Sequence, residues 1–278
     1  MPSVQSHGYA THYEDEDFTD PWRPSETILI QHGFGRNSQF WYHWVPPLAG
    51  RFRVVRRDLR GHGGSGDGGE ADWSFDALVD DLADFIDGVS PGPTHLVAES
   101  TGGMLAVGLS ARHPTKLRSL TLCACPTTIG DAAQRFFAAD HRSWQAALLE
   151  LGAEGWARWL LSQPGTFPSS DPRQLEWAIE QFGRASTSAL IEYSRIISTT
   201  DVATLLPQVG VPTLILAPAR SAATSVEDQR QIAALIPDAM LVPIDGQGHE
   251  IYIDRRDDCI RALQSFVSDI SQRAPAIQ

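Results

Sequence analysis

Six short runs, dense in β-branched and other apolar residues and almost unbroken in hydrophobicity, recur along the chain: Thr27 to Gln31, Phe52 to Leu59, His95 to Glu99, Leu117 to Cys125, Pro212 to Ala217 and Ala239 to Ile244. Runs of this kind read as strands covered on both faces, which demands helices above and below a parallel sheet. The clearest helix between them places Phe75, Leu78, Val79, Leu82, Phe85 and Ile86 at i, i+3, i+4 and i+7 spacings, just after Ser74, a good N-cap. This alternation predicts an open α/β fold, a mostly parallel, doubly wound sheet with right-handed crossovers. It lapses between about Pro126 and Leu206, where the pattern is helical and holds Trp144, Trp156, Trp159 and Trp177, half of the eight tryptophans. The expected organisation is a core built from residues 1–125 and 207–278, with residues 126–206 forming a helical cap inserted between strands. Ligands of open α/β sheets bind at the carboxyl ends of strands, where such an insert can lie as a lid.

Composition narrows the partners. The 278 residues carry 22 Lys and Arg against 34 Asp and Glu, a formal charge of −12, which argues against a nucleic-acid partner and against anionic membranes. The stretch Met1 to Asp20 is polar and acidic, without the basic start and apolar run of a signal peptide or a membrane span, so a cytoplasmic protein is expected. Cys123, Cys125 and Cys259 offer no CxxC pair and read as buried small hydrophobes, so no metal is expected.

The strongest chemical signal is Ala98-Glu99-Ser100-Thr101-Gly102-Gly103, between a strand-like run and the helix-like Met104 to Arg112. A tight strand-to-helix turn lifts its central serine out of the sheet and needs small neighbours, which Ala98 and Gly102 supply. A serine hydroxyl needs a base, and His249 follows the last strand-like run, in Asp245-Gly246-Gln247-Gly248-His249-Glu250. Oxyanion donors are expected at the amide of Thr101 and, in the loop Gln31-His32-Gly33-Phe34-Gly35, at the amide of Phe34. His32 reads as a residue bracing that loop. Glu99 leaves the turn in a different direction from Ser100 and is expected to make a local loop or helix contact instead of serving as the orienting acid, and Glu250 beside His249 is set aside for the same reason.

These residues resemble the α/β-hydrolase superfamily over nearly the whole chain. Further points of likeness are His32-Gly33, the stretch Asp58-Leu59-Arg60-Gly61-His62-Gly63-Gly64-Ser65, Arg112-His113-Pro114 and Val211-Pro212-Thr213-Leu214. Within the superfamily the chain is similar to the enol-lactonase, esterase and carbon–carbon hydrolase branch. The resemblance implies the α/β-hydrolase fold, Ser100 as nucleophile and His249 as base. It also implies an aspartate after the run Pro212 to Ala217, where this chain reads Ala217-Pro218-Ala219-Arg220-Ser221; the expected carboxylate is Ser221. Three accounts stay open: Ser221 bonds the imidazole directly, Asp228, Glu227 or another carboxylate reaches it, or the protein is not a fast hydrolase. The third triad member fixes the histidine tautomer, so the choice matters.

The leading expectation is a cofactor-independent serine hydrolase acting on a small ester, lactone or C–C bond next to a carbonyl through an acyl-enzyme. The alternatives are a non-hydrolytic ligand receptor and a cofactor-free lyase or oxygenase on the same fold. Trp144, Trp156 and Trp159 suggest an apolar or aromatic carbonyl substrate, with Arg36 available to offset substrate charge. A homodimer is compatible with the sequence.

Overall fold

The computed structural model describes residues 2–6, 8–69, 71–169, 171–221 and 223–273. Strands β1 (Ser3–Ser6), β2 (Tyr9–Glu16), β3 (Glu26–Gln31), β4 (Phe52–Arg57), β5 (Thr94–Glu99), β6 (Leu117–Cys123), β7 (Thr213–Pro218) and β8 (Ala239–Ile244) form one sheet in the order β1-β2-β4-β3-β5-β6-β7-β8. From β3 to β8 all neighbours are parallel; β2 runs antiparallel to both β1 and β4. The sequence pattern anticipated the six parallel strands within a few residues at each end. It did not anticipate the β1–β2 hairpin, because Tyr9–Glu16 has no continuous apolar run and its far half is acidic and partly exposed.

Helices α1 (Val45–Leu48), α2 (Phe75–Val89) and α3 (Thr101–Arg112) precede β6; α4 (Asp131–Phe137), α5 (Trp144–Ser162), α6 (Pro172–Gly183) and α7 (Thr187–Thr199) follow it. Helices α8 (Val226–Leu235), α9 (Ile251–Asp254) and α10 (Arg256–Arg273) complete the chain. Strand alternation divides the core in two. Leu29, Leu96, Leu120 and Ile215 pack with α2, α3 and α8 on one face, while Ile28, Val97, Leu214 and Leu216 pack with Trp41, Trp44 and α10 on the other. The α2 start is fixed as its sequence suggests: Ser74 accepts a hydrogen bond from the Ala77 amide. Cys123, Cys125 and Cys259 are buried thiols with no disulfide. Among the described residues, no helix is long and apolar enough to cross a membrane.

Two features position the site. After β3 the chain moves outward to β4, whereas β5 lies on the other side of β3, so the loops leaving β3 and β5 part company and open a crevice at their carboxyl ends. The four helices α4 to α7 leave and re-enter the core through a narrow neck, closed by a Thr128–Asp201 bridge and a Val202 N–H to Thr127 C=O hydrogen bond of 3.0 Å. The cap presses on the loop after β3: a Cβ on Gly35, whose φ is +68°, would lie 1.9 Å from the Phe182 ring.

The turn Arg60-Gly61-His62-Gly63 is part of this frame and holds no phosphate-type donor free. Arg60 is buried, with Nε 2.9 Å from Asp81 Oδ2 and a second hydrogen bond to the Asp72 carbonyl. Removing one partner strands a charge in the interior. Asp81→Ala is expected to cost about 3–5 kcal/mol of unfolding free energy in urea titrations; a loss below about 1 kcal/mol would show that water or another group takes over Arg60.

Candidate active site

Ser100 stands at the junction of β5 and α3 with φ 50° and ψ −126°, a left-handed conformation that costs a non-glycine residue about 1–3 kcal/mol. Its neighbours hold it there. The Ser100 amide donates to the Cys123 carbonyl at 2.9 Å, and the Gly103 amide donates to the Ser100 carbonyl at 2.8 Å. A Cβ at Gly102 would meet the His32 carbonyl oxygen at 2.3 Å, so the elbow can press against the loop after β3 only because position 102 has no side chain.

The loop after β3 is braced by two buried, neutral histidines. His32 Nδ1 bonds the Gly33 carbonyl at 2.8 Å while its Nε2 accepts from the Leu59 amide at 2.9 Å; His62 Nδ1 bonds the Arg60 carbonyl while its Nε2 accepts from the Gly35 amide at 3.2 Å. Burial pushes the His62 imidazole down to about 4 and His32 well below the usual histidine range. The Phe34 amide, expected as an oxyanion donor, is engaged: it donates to Thr101 Oγ1 at 3.0 Å, and the Tyr193 hydroxyl from α7 donates to the same oxygen at 3.2 Å. The Thr101 amide opens the first turn of α3, where backbone donors have no partner within the helix.

The Phe34 ring carries the cap. Trp144 lies 4.5 Å from it and Trp156 5.6 Å, with Phe182 and Tyr193 close behind. Trp159 takes no part in this contact; it packs on Phe136 and Trp156, one layer further out. Two of the three tryptophans expected around substrate therefore meet the loop above Ser100, and the third belongs to the packing of the cap itself.

His249 follows β8 and Ser221 follows β7, and because these strands are neighbours their loops meet: Ser221 Oγ lies 3.2 Å from His249 Nδ1. The carboxylates considered as substitutes are elsewhere. Asp228 closes a capping box with Ser225 at the start of α8, and Glu227 pairs with Arg230 on the surface. Ser221 Oγ also accepts the amides of Ala223 and Thr224, each at 3.1 Å. The Thr224 hydroxyl stands 3.4 Å from the same oxygen. In the Ser221–His249 contact the donor is the hydroxyl or the imidazole according to the tautomer of the ring. No hydrogen bond joins His249 to Ser100 among the described residues; Nε2 instead lies 3.8 Å from Glu99 Oε1.

Glu99 makes a loop contact, as expected of it. As the last residue of β5 it turns under the loop after β3, and its Oε2 accepts the Gly33 amide at 2.8 Å. A Cβ at Gly33 would lie 2.9 Å from Glu99 Oε2 and 3.1 Å from Ser100 Cβ, so the loop after β3 packs against both residues. Glu250, by contrast, points away from the imidazole and binds Arg36, whose Nε lies 2.7 Å from its Oε1. Arg36 is therefore buried and committed, not free to meet a substrate. Since Arg36 follows the Gly35 turn and Glu250 follows His249, this ion pair ties the loop after β3 to the loop after β8. Burial pushes the Glu99 carboxyl up to about 7, with Arg36 opposing and Glu250 adding to the rise. Burial, then Arg36, hold His249 down at about 4.

A charged residue ending the otherwise uncharged run Thr94 to Ala98 was a signal that Glu99 needed a partner; nothing local in the sequence foretold Tyr193 or the Arg36–Glu250 pair. A carboxyl raised from 4.5 to about 7 contributes stability that is complete below its unfolded value and is lost as pH rises through the folded one. Glu99→Gln is thus expected to be more stable than the parent at about pH 8, by at most about 3 kcal/mol, with the gap closing toward acid. A difference in unfolding free energy that does not change across this window would contradict the burial of an ionised carboxylate.

Comparison with known proteins identifies the family of the fold. Residues 26–256 match the family described as the alpha/beta hydrolase fold. The chain is 30% identical over 240 residues to a pimeloyl-[acyl-carrier protein] methyl ester esterase of Chromobacterium violaceum, covering 85% of this chain and 92% of that one. It is 28% identical over 268 residues to a fluoroacetate dehalogenase of a Burkholderia species, covering 87% of each. In structure it is similar to the enol-lactonase of Burkholderia xenovorans LB400, with a TM-score of 0.82 at 23% identity, over 96% of this chain and 100% of that one.

Proposed function

The chain belongs to the α/β-hydrolase fold family, and from that premise we propose that this hydrolase cleaves a small ester or lactone through an acyl-enzyme on Ser100. The observation that carries the reading is the strained Ser100 at the carboxyl end of the central strand β5, preceded in the chain by the buried Glu99, whose carboxylate lies 3.8 Å from the His249 imidazole. A residue kept at φ 50° by close-packed neighbours presents its side chain to the crevice at the cost of folding energy, as nucleophile elbows do. The esterase and enol-lactonase similarities support ester or lactone carbonyls as the bond type.

In this reading Ser100 attacks the carbonyl, and its proton passes to the His249–Glu99 pair and on to the leaving group. The amide of Thr101 holds the developing oxyanion. Phe34 joins it when the Thr101 hydroxyl turns away, a movement that substrate entry and the Tyr193 contact would control. The aromatic wall of Phe34, Trp144 and Trp156 favours an apolar acyl or alkoxy group over a charged one, in keeping with the formal charge of −12.

Two measurements test this. A fluorophosphonate is expected to modify Ser100 stoichiometrically, and Ser100→Ala is expected to abolish both labelling and hydrolysis of p-nitrophenyl acetate without lowering the unfolding midpoint. An unreactive Ser100 together with tight binding of an apolar carbonyl compound would identify a receptor instead. Ser221→Asp supplies a charged acceptor for a proton on Nδ1, which fixes Nε2 as the base; kcat is expected to rise about tenfold or more. An unchanged kcat would remove the Ser221 contact from the control of the imidazole.

A further inference from the structure

One of the two amides that would hold the oxyanion already has an acceptor inside the protein. The Phe34 N–H donates to Thr101 Oγ1 at 3.0 Å, and the Tyr193 hydroxyl, reaching in from α7 of the cap, donates to the same oxygen at 3.2 Å. Thr101 is 4% and Tyr193 1% exposed, so bulk water does not compete for these bonds. Burial pushes the Tyr193 phenol up, which keeps it protonated and able to donate. Its ring also stacks on the Phe34 ring, with centroids 5.9 Å apart and planes 17° from parallel.

Little else in this contact can yield. A Cβ at Gly102 would meet the His32 carbonyl oxygen and one at Gly33 would meet Ser100 Cβ, so the elbow and the loop after β3 are already pressed together. The start of α7 is pinned to the turn after β4 by the Ser186 N–H to Gly61 C=O hydrogen bond of 2.8 Å, and Ala189 fills the space that a Cβ on Gly61 would need. The movable part is the Thr101 side chain, since a helical threonine divides between two χ1 rotamers and one step of rotation takes Oγ1 off the amide.

Resting on the serine-hydrolase reading above, we propose that the Thr101 hydroxyl is a resident occupant of the oxyanion site, holding the Phe34 amide until charge develops on the substrate oxygen, with Tyr193 as the cap residue that keeps it there. A ground-state carbonyl is a neutral acceptor, like the hydroxyl, and gains nothing by displacing it. An oxyanion accepts about twice as strongly, so the exchange becomes favourable as the bond from Ser100 Oγ to the carbonyl carbon forms. The Phe34 amide then contributes to the transition state and not to substrate binding, which is the distribution that speeds the chemical step. Thr101 through its side chain and Tyr193 through Thr101 are thus positioning residues, and the seating of the cap sets how firmly the amide is held.

Thr101→Val keeps the shape of the side chain and removes the acceptor. With p-nitrophenyl acetate it is expected to raise kcat/KM about 2- to 10-fold, the worth of one neutral hydrogen bond, with the gain lying mainly in a lower KM. Thr101→Ser restores the acceptor and is expected to cancel that gain. Tyr193→Phe leaves Thr101 in place, removes one of the two bonds on Oγ1 and is expected to raise kcat about 2- to 10-fold. An unchanged or lower kcat/KM in Thr101→Val overturns the proposal, because a hydroxyl that only braces the loop gives no gain when it is removed; where that variant does not fold, a kcat in Tyr193→Phe at or below that of the unaltered protein overturns it. Fluorophosphonate labelling of the unaltered protein separates the two levels: without modification of Ser100 the serine reading itself fails, whereas a labelled Ser100 with no gain in either variant removes only the role of the Thr101 hydroxyl.

Discussion

The contact between the elbow and the loop after β3 leaves no room for a side chain at two positions, and most of the site follows from that crowding. Without a Cβ at Gly102 the elbow backbone can approach the His32 carbonyl, and without one at Gly33 the loop can pack against both Glu99 and Ser100. Either glycine replaced by a larger residue would drive the two loops apart by ångströms, at a scale where hydrogen bonds of 2.8 Å do not survive. The strain at Ser100 is offset by the packing of β5 and α3, which is why it can persist on a left-handed backbone. Gly35 extends the same logic to the cap, since the Phe182 ring fills the place its side chain would take.

Bracing of those loops is polar and almost entirely internal. His32 and His62 each use both ring nitrogens on backbone groups, an arrangement available only to the neutral imidazole. Protonation of either would replace an accepted N–H with a repulsive contact, so the loop is built to hold at neutral pH and to loosen in acid. Arg36 and Glu250 add a tether between the loops that follow β3 and β8. A buried pair of this kind adds little net stability, yet separating its members is costly, and the consequence is a fixed spacing between the loops.

How much of this was legible in the sequence depended on the range of the interactions. The six parallel strands announced themselves because strands buried on both faces must be continuously apolar, and β3 and β5 read that way from residue to residue. The tight turn at Ser100 was readable because such a turn needs small neighbours in fixed positions, and the loop that holds His249 because it follows the last apolar run. Tyr9–Glu16 was missed since a partly exposed strand with an acidic end resembles a polar tail. Glu99 was readable as a loop contact, but not its partner, a backbone amide 66 residues away in the chain. Trp159 was grouped with Trp144 and Trp156 on composition, but only the latter two lie on the helix faces that meet Phe34.

The charge balance of the interior decides which carboxyl can exchange protons. Arg36, Glu99 and Glu250 lie together out of water, one cation against two acids. Both acids cannot remain ionised at low cost beside a single guanidinium, so near neutrality a proton is shared within the cluster. Glu250 holds Arg36 through direct hydrogen bonds and loses most by accepting that proton. Glu99 feels Arg36 only at a distance and holds a neutral amide from Gly33, so protonating it sacrifices less. Burial accordingly pushes the carboxyl next to Ser100, that of Glu99, up to about 7.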